Sequence, residues 1–222
     1  MTPPVVLFSA GLDSAVLLAE AAARQGAQPV YISAGLAWEA EERLMAGRFL
    51  SALAARGGVQ PMAELVVDMR DVYPPGHWAI RGEAPAFDTP DTDVYLEGRN
   101  IVLLSKAAVF AARAKSGTIL LGTLAGNPFP DASPAFFEAI ARALSLGLDS
   151  PIAIETPFST MHKDAVIRRG VELGVPFELT LSCMQPSGGL HCGRCSKCRE
   201  RRDAFAAAGV TDPAGYATTP VR

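Results

Sequence analysis

Val5-Val6-Leu7-Phe8-Ser9-Ala10-Gly11-Leu12-Asp13-Ser14 is the stretch that decides how this chain folds. Its first four residues are apolar and typical of a buried strand, and the Ala- and Leu-rich segment from 14 to about 24 predicts a helix. A strand that leads into a helix through small residues directs unpaired backbone N–H groups and the positive end of the helix dipole at one position. The stretch therefore predicts a phosphate-binding loop.

The side chains of this loop suit a phosphate ligand. Gly11 lets the backbone approach a ligand closely, and Ser9 and Ser14 supply hydroxyl donors. Asp13 repels phosphate, so we expect it to hold Mg²⁺ or to cap the helix. The pattern is neither the Walker sequence nor the Gly-x-Gly-x-x-Gly loop. The alternative interpretation is an ordinary strand-to-helix turn with a serine cap.

Length and composition limit the class of protein. A chain of 222 residues is long enough for one α/β domain, and 49% hydrophobic and 19% charged residues are typical of a soluble globular protein. The net charge of −3 argues against a main role in nucleic-acid binding. We see no leader and no apolar run of membrane-spanning length, so we expect a cytoplasmic protein with no membrane partner.

Short apolar segments alternate with helical patterns and predict an α/β fold. Such alternation implies a parallel, doubly wound five-stranded sheet with helices on both faces. The predicted strands are 5–8, 29–33, 62–67, 118–122 and 151–154, and the predicted helices are 14–24, 39–56, 101–115, 134–146 and 162–174. Because ligands bind at the carboxyl ends of such strands, we expect the Ser9–Ser14 loop, Gly122-Thr123 and the Glu155–Lys163 segment to meet.

The regular pattern is lost between Asp71 and Leu96, a stretch that contains four prolines. Irregular segments of this length inside a domain are often lids or binding loops. The alternative is a floppy insertion.

All four cysteines lie within sixteen residues near the C-terminus, with the spacing C-x8-C-x2-C-x2-C. Zn²⁺ prefers four soft ligands in a tetrahedron, and the short spacings let a turn present neighbouring thiolates to one ion. We therefore predict a closed structural zinc site formed by Cys183, Cys192, Cys195 and Cys198. His191 is a possible competing ligand, and an iron–sulfur cluster is the alternative centre. No further cysteine remains to carry sulfur as a persulfide, which argues against an enzyme that transfers sulfur.

The C-terminal part of the chain is predicted to form a small element of its own. We place an α/β domain at 1–180 and a zinc-binding element at 181–222, packed on the same domain. The element contains a basic run, which predicts an exposed face of a helix. The run consists of Arg194, Lys197, Arg199, Arg201 and Arg202.

Two parts of the chain resemble known motifs. The first loop resembles the S-G-G-x-D-S loop of the ATP pyrophosphatases, with Ala10 at a position that is usually glycine, which makes a positive φ less expected there. Gly98-Arg99-Asn100, Glu155-Thr156-Pro157 with Lys163, and Cys-Gly-Arg-Cys-x-x-Cys-Arg at 192–199 are similar to sequences of the 7-cyano-7-deazaguanine synthase family of the queuosine pathway. The resemblance runs from about Val5 to Tyr216.

This resemblance implies an ATP-dependent carbon–nitrogen ligase with a fold like that of the adenine-nucleotide α-hydrolases. Members of the family activate the carboxylate of 7-carboxy-7-deazaguanine with ATP, add ammonia to form an amide, and dehydrate the amide to a nitrile. They bind one structural zinc and are commonly dimers. We therefore expect ATP, Mg²⁺ and Zn²⁺ as cofactors, a small carboxylate and ammonia as substrates, no nucleic-acid partner, and a homodimer.

The resemblance also implies a set of site residues. Asp13 and Lys163 are expected to be catalytic, with Lys163 neutralising phosphate charge. The substrate is expected to contact Asn127, Phe129 and Asp131. The residues expected to bind ATP are Phe8, Ser9, Ala10, Gly11, Leu12, Asp13, Ser14, Ala15, Val16, Leu17, Leu18, Arg99 and Gly122.

The chain departs from the family pattern in the region expected to bind substrate. The family's Tyr-Pro-Asp-Cys-Arg reads Phe-Pro-Asp-Ala-Ser at 129–133, and Ala34-Gly35-Leu36 replaces the Asp-Tyr-Gly that commonly follows strand two. Two alternatives therefore stay open. The same scaffold acts on a different acid, or the protein is a zinc-stabilised nucleic-acid-binding module without turnover.

Overall fold

The computed structural model describes residues 2–218 and contains a five-stranded, fully parallel sheet. The strand order is β3-β2-β1-β4-β5, which confirms the predicted fold class. The first strand is central, because Val5 pairs with Gln28 on one side and with Ile119 on the other. The strands are β1 (Val5–Leu7), β2 (Gln28–Ser33), β3 (Ala63–Val66), β4 (Thr118–Leu120) and β5 (Ala153–Glu155).

Seven α-helices connect and cover these strands in the described part of the chain. The helices are α1 (Leu12–Gln25), α2 (Glu39–Ala54), α3 (Trp78–Arg81), α4 (Arg99–Arg113), α5 (Pro134–Leu148), α6 (Lys163–Glu172) and α7 (Ser196–Ala208). Within residues 2–218, no helix combines the length and the apolar character that crossing a bilayer requires.

Alternation along the strands divides the core between the two faces of the sheet. Val6 and Phe8 belong to a buried cluster with residues of α1, α2, α6 and α7, whereas Val5 and Leu7 belong to a second cluster with residues of α4 and α5. Successive side chains of a strand point to opposite faces, so apolar residues throughout β1 indicate burial on both sides. The helices on both faces confirm the doubly wound arrangement.

The Asp71–Leu96 segment is a packed part of the molecule, so its interpretation as a floppy insertion is wrong. Its buried residues join Trp38 in a third apolar cluster, and the Tyr73 hydroxyl donates to the Glu97 carbonyl over 3.0 Å. Arg199 of α7 holds the other side of the segment, donating to the carbonyls of Phe87 and Thr89 over 2.6 and 3.2 Å. Side chains distant in sequence therefore order the segment.

The C-terminal element shares the core of the sheet domain. All four cysteines belong to the same buried cluster as α1, while the division at residue 180 stays a prediction. The expected exposed basic face is wrong at Arg201, whose side chain is fully buried. Its guanidinium donates to Asp212, to the Thr180 hydroxyl and to the Phe177 carbonyl. These partners satisfy a buried charge, which is the condition under which a protein tolerates one.

Candidate active site and metal centre

A cavity of about 300 Å³ opens at the carboxyl ends of the central strands. Of the three regions that we expected to meet there, the Ser9–Ser14 loop and Gly122-Thr123 line it, together with the start of α4. No residue of the Glu155–Lys163 segment lines it, and this segment reaches the loop through Lys163, whose Nζ lies 3.4 Å from Asp13 Oδ2. The predicted site residues on its wall are Phe8, Ser9, Gly11, Asp13, Ser14, Arg99, Gly122, Asn127, Phe129 and Asp131.

Six residues expected to contact ATP have side chains that point away from this cavity. They are Ala10, Leu12, Ala15, Val16, Leu17 and Leu18, all buried in the cluster between α1 and the sheet. The side chains of these residues face the core, and their assignment to ATP binding stays a prediction. The apolar face of an amphipathic helix packs against the core, and the start of α1 with Asp13 and Ser14 is the part that lines the cavity.

The backbone of the β1–α1 loop is left-handed at Ala10. Ala10 has a φ of 58°, so the expectation that alanine disfavours a positive φ here is wrong. Its carbonyl accepts a hydrogen bond of 2.8 Å from the Leu181 N–H, which offsets part of the cost of about 1–2 kcal/mol for a left-handed non-glycine residue. The loop is thereby tied to the chain that leads into the first cysteine.

No side chain caps α1, which argues against the interpretation as an ordinary serine-capped turn. Gly11 occupies the N-cap position without a side-chain hydrogen bond to the first turn. The Ser14 hydroxyl instead donates to the Gly11 carbonyl over 3.0 Å, and Asp13 is the second helical residue and not a cap. The N–H groups of the first turn have no partners within a helix, so they remain available to an anion.

Gly122 allows the loop after β4 to lie directly against the phosphate loop. A Cβ at this position would lie 3.2 Å from the Asp13 carbonyl carbon and 3.4 Å from the Ser14 nitrogen. Such a contact is tighter than ordinary van der Waals contact, and the neighbour is backbone. A side chain here would therefore push the two loops apart.

Asp13 and Lys163 lie next to each other, as expected from the meeting of the Ser9–Ser14 loop with the Glu155–Lys163 segment. Lys163 is the first residue of α6, and its Nζ lies 3.4 Å from Asp13 Oδ2 and also contacts Glu200 Oε1. Asp13 Oδ1 is buried and has no hydrogen-bond partner among the described residues. Burial raises the pKa of Asp13, while the Lys163 ammonium opposes that shift. A buried carboxylate oxygen without a partner is suited to a cation.

Sequence reasoning missed Glu42 and Tyr31, which line the cavity beside Arg99. The Tyr31 hydroxyl donates to Glu42 Oε2 over 2.9 Å, and burial raises the pKa of Glu42 to about 7. The Nε of Arg99 is buried without a hydrogen-bond partner among the described residues. The sequence signal was weak, because Glu42 lies among other acids in the first turn of α2, where acids ordinarily interact with the helix dipole.

Asp131 has a structural role at the wall of the cavity. Its Oδ2 accepts a hydrogen bond of 3.0 Å from the Asn100 N–H, and its carbonyl accepts one of 2.9 Å from the Asn100 side chain. The carboxylate thereby holds the start of α4, where Arg99 lies. Phe129 stacks on Tyr95 with 5.0 Å between ring centroids. Asn127 is engaged in its own loop, since its Oδ1 accepts from the Phe129 N–H.

The four cysteines converge in a geometry that fits a single tetrahedral metal ion. All four sulfur atoms lie within 4.8 Å of one another, and every cysteine is buried. The shortest separations are 3.5 Å between Cys195 and Cys198, 3.8 Å between Cys192 and Cys198, and 3.9 Å between Cys183 and Cys195. Four sulfurs at about 2.3 Å from one Zn²⁺ are about 3.8 Å apart. The space between them fits one ion and not a multi-iron cluster.

The surroundings of the cysteines also suit thiolates. Backbone N–H groups of Gln185 and Cys192 donate to the sulfur of Cys183 over 3.3 and 3.2 Å. Such bonds orient the ligands of a metal and stabilise their negative charge. His191 is not a fifth ligand, because its Nε2 accepts a hydrogen bond of 3.1 Å from the Ser182 N–H and lies outside the four-sulfur group.

Comparison with known proteins assigns the chain to a family. Residues 4–209 match the model of the family described as queuosine biosynthesis protein QueC. The chain belongs to this family. It is 37% identical to the 7-cyano-7-deazaguanine synthase of Anaeromyxobacter dehalogenans over 96% of this chain and 95% of that protein. It is 34% identical to the synthase of Methanothrix thermoacetophila over 96% of this chain and 97% of that protein.

Solved structures show the same fold as this member of the QueC family. A predicted subunit of tRNA methyltransferase from Methanocaldococcus jannaschii has a TM-score of 0.51 at 13% identity, covering 97% of this chain and 92% of that one. A 4-thiouridine synthetase in complex with RNA and bound ATP has a TM-score of 0.51 at 15% identity, covering 93% of this chain and 52% of that one. At these identities the likeness concerns the fold alone.

Proposed function

We propose that this protein converts 7-carboxy-7-deazaguanine and ammonia to 7-cyano-7-deazaguanine at the expense of ATP. The observation that carries the proposal is that the β1–α1 loop lines a cavity of about 300 Å³ and that no side chain caps the start of α1. The chain's relatives of 37 and 34% identity, which bear the name of this synthase, support the choice of substrate. Whatever its substrate, these relatives support an enzymatic function for the chain.

The reaction requires activation, since a carboxylate is a poor electrophile. We infer that a carboxylate oxygen of the substrate attacks the α-phosphorus of ATP, which forms the acyl adenylate and releases pyrophosphate. Ammonia then attacks the acyl carbon, giving the amide as AMP departs. Loss of water from the amide yields the nitrile. Residues that neutralise the negative charge building on the phosphates lower the barrier to the first step.

Each part of the ATP site has an assigned task in this proposal. The N–H groups at the start of α1 and the hydroxyls of Ser9 and Ser14 bind phosphate oxygens, with Lys163 supplying positive charge. Asp13 is placed to hold Mg²⁺ through its unpartnered Oδ1, and that ion would stabilise the departing pyrophosphate. Gly122 keeps the neighbouring loop close enough to complete the site.

The acid is proposed to bind on the side of the cavity opposite the phosphate loop. Arg99 offers a buried, unpartnered Nε that suits an anionic group on the substrate. Phe129 provides an aromatic surface for a planar heterocycle, and Asn127 and Asp131 complete that wall. This assignment supplies an arginine at the site although the family's arginine after Asp131 is missing.

The remaining expectations concern the molecule as a whole. We propose that the four cysteines hold a structural Zn²⁺ within a C-terminal element of 181–222 that packs on the 1–180 domain. We further propose that the protein is a cytoplasmic homodimer that binds neither nucleic acid nor membrane. The separations between the sulfur atoms support the zinc.

The direct test incubates the protein with ATP, Mg²⁺, an ammonium salt and 7-carboxy-7-deazaguanine, and follows AMP, amide and nitrile by mass spectrometry. We expect nitrile and AMP from the wild-type protein and neither from Asp13→Ala. Asp203→Asn, an exposed change on α7, is the control and should behave as wild type. AMP without nitrile would favour a different carboxylate substrate, and absence of AMP would overturn the proposal.

A further inference from the structure

The helix that follows the cysteine cluster reaches the phosphate loop through a single carboxylate. Helix α7 begins immediately after Cys195 and contains Cys198, so the cysteine cluster anchors its first turn. Glu200 lies on the same helix and contacts the Lys163 ammonium through Oε1. Its Oε2 accepts from the Lys197 ammonium over 2.6 Å. One carboxylate thus joins the metal-binding element to the lysine beside the loop.

This contact differs from an ordinary ion pair on the protein surface. The side chains of Lys163 and Glu200 are 18% and 23% exposed, so solvent screens the pair only in part. Exposed ion pairs contribute little because water and salt screen them and both side chains remain mobile. Here Lys197 fixes the carboxylate from its other side, which reduces the freedom of Glu200 to turn away.

Lys163 needs such an anchor to act at the phosphate loop. Its ammonium is carried on a flexible stem of four carbons, and ordering it costs on the order of 2 kcal/mol of rotamer entropy. An ammonium has three donors. Glu200 and Asp13 flank the Nζ atom, and this arrangement leaves one donor for an incoming phosphate oxygen.

We propose that Glu200 is a positioning residue that holds Lys163 at the phosphate loop. Helix α7, which follows the cysteine cluster, would thereby contribute to nucleotide binding. None of Glu200, Lys197 and Lys163 lies on the wall of the cavity. Lys163 meets the loop at Asp13, whose Oδ2 is 3.4 Å from its Nζ, and Glu200 acts through Lys163. The inference rests on the proposed role of the loop in ATP binding, and it adds that the metal centre and the nucleotide site are mechanically connected.

The test measures the affinity for the α,β-methylene analogue of ATP with Mg²⁺ by calorimetry, which does not depend on turnover or on the identity of the acid. We expect Glu200→Gln to weaken binding about tenfold while the zinc content stays at one ion per chain. Asp203→Asn, exposed on the same helix, is the matched control and should bind as wild type. Glu200→Asp keeps the charge on a shorter side chain, and its affinity should lie between those of Glu200→Gln and wild type.

A double-variant comparison separates positioning from a general structural effect. In a Lys163→Ala background, Glu200→Gln should cause no further loss of affinity, because the group that it orients is gone. Wild-type affinity in Glu200→Gln, loss of zinc in both Glu200 variants, or an equal further loss in the Lys163→Ala background would overturn the inference. Failure of the proposed function would look different, as the wild-type protein itself would not bind the nucleotide.

Discussion

Glu42 is a carboxylic acid that the fold has largely removed from water, with 9% of its surface exposed. Burial raises its pKa from 4.5 to about 7, and the proximity of Arg99 only partly opposes this shift. The folded state therefore holds the proton more tightly than the unfolded state does. The stabilising contribution of this proton is fully present below pH 4.5 and is lost as the pH rises through 7.

We predict that Glu42→Gln has a higher free energy of unfolding than wild type, and that this difference is larger at pH 8 than at pH 5. The amide keeps an acceptor for the Tyr31 hydroxyl but carries no charge, so the gain over wild type should grow across this interval to at most about 3 kcal/mol. Urea unfolding of both proteins at the two pH values measures it. Glu138→Gln on the exposed side of α5 is the control and should show no such trend. A difference from wild type that is equal at both pH values would count against the buried acid.

The residue scale also shows what the sequence could and could not predict. The loop and the four cysteines were predictable, because each depends on local chemistry or on spacing. Gly122 was expected near the loop because both follow strands of one parallel sheet. The positive φ of Ala10 was not, since a contact with Leu181 supports it across most of the chain. Glu200 and the buried Arg201 depend in the same way on partners distant in sequence.

At the scale of secondary-structure elements, the position of the β4 loop against the β1–α1 loop controls the shape of the phosphate site. Gly122 makes that approach possible, as a Cβ there would lie 3.2 Å from backbone of Asp13. Helices and strands were predicted to within a few residues because their apolar periodicity is strong. The short helix α3 and the course of 71–96 were not, because contacts with α7 and Trp38 order that segment.

We predict that Gly122→Ala weakens ATP binding about tenfold with a small effect on stability. The added methyl group moves the two loops apart by a few tenths of an ångström, enough to misalign the N–H groups that face the phosphates. Calorimetric titration with ATP and Mg²⁺ measures the change. Gly47→Ala is the matched control, since its Cβ would meet no atom within 4 Å, and it should bind normally and unfold at slightly higher temperature. Equal affinities for the two variants would contradict the assigned role of the loop contact.

At the scale of the whole molecule, the four-cysteine cluster and the sheet form one buried core. The cysteines pack with α1, and the chain just before them donates to the loop carbonyl of Ala10. Metal binding is therefore expected to contribute directly to folding. The strand order β3-β2-β1-β4-β5 lies at this scale too, and the alternation of strands and helices predicted its class but not the register.

We predict that Cys195→Ser yields a protein with little bound zinc and a free energy of unfolding lower by several kcal/mol. Metal analysis and urea unfolding measure the two effects. The neighbouring Ser196→Ala is the matched control, because the Ser196 hydroxyl is buried without a hydrogen-bond partner among the described residues. It should retain one zinc and at least the stability of wild type. A Cys195→Ser protein with wild-type stability and no metal would show that the cluster is not structural.

In the proposed reaction, the β1–α1 loop binds ATP so that a carboxylate can be converted to its adenylate. The most direct measurement supplies 7-carboxy-7-deazaguanine with ¹⁸O in its carboxylate, together with ATP and ammonium, and determines the mass of the AMP produced. Because the carboxylate oxygen stays on the α-phosphate when ammonia displaces AMP, we expect AMP that carries ¹⁸O. Nitrile formed with unlabelled AMP, or with ADP and phosphate as the nucleotide products, would contradict it.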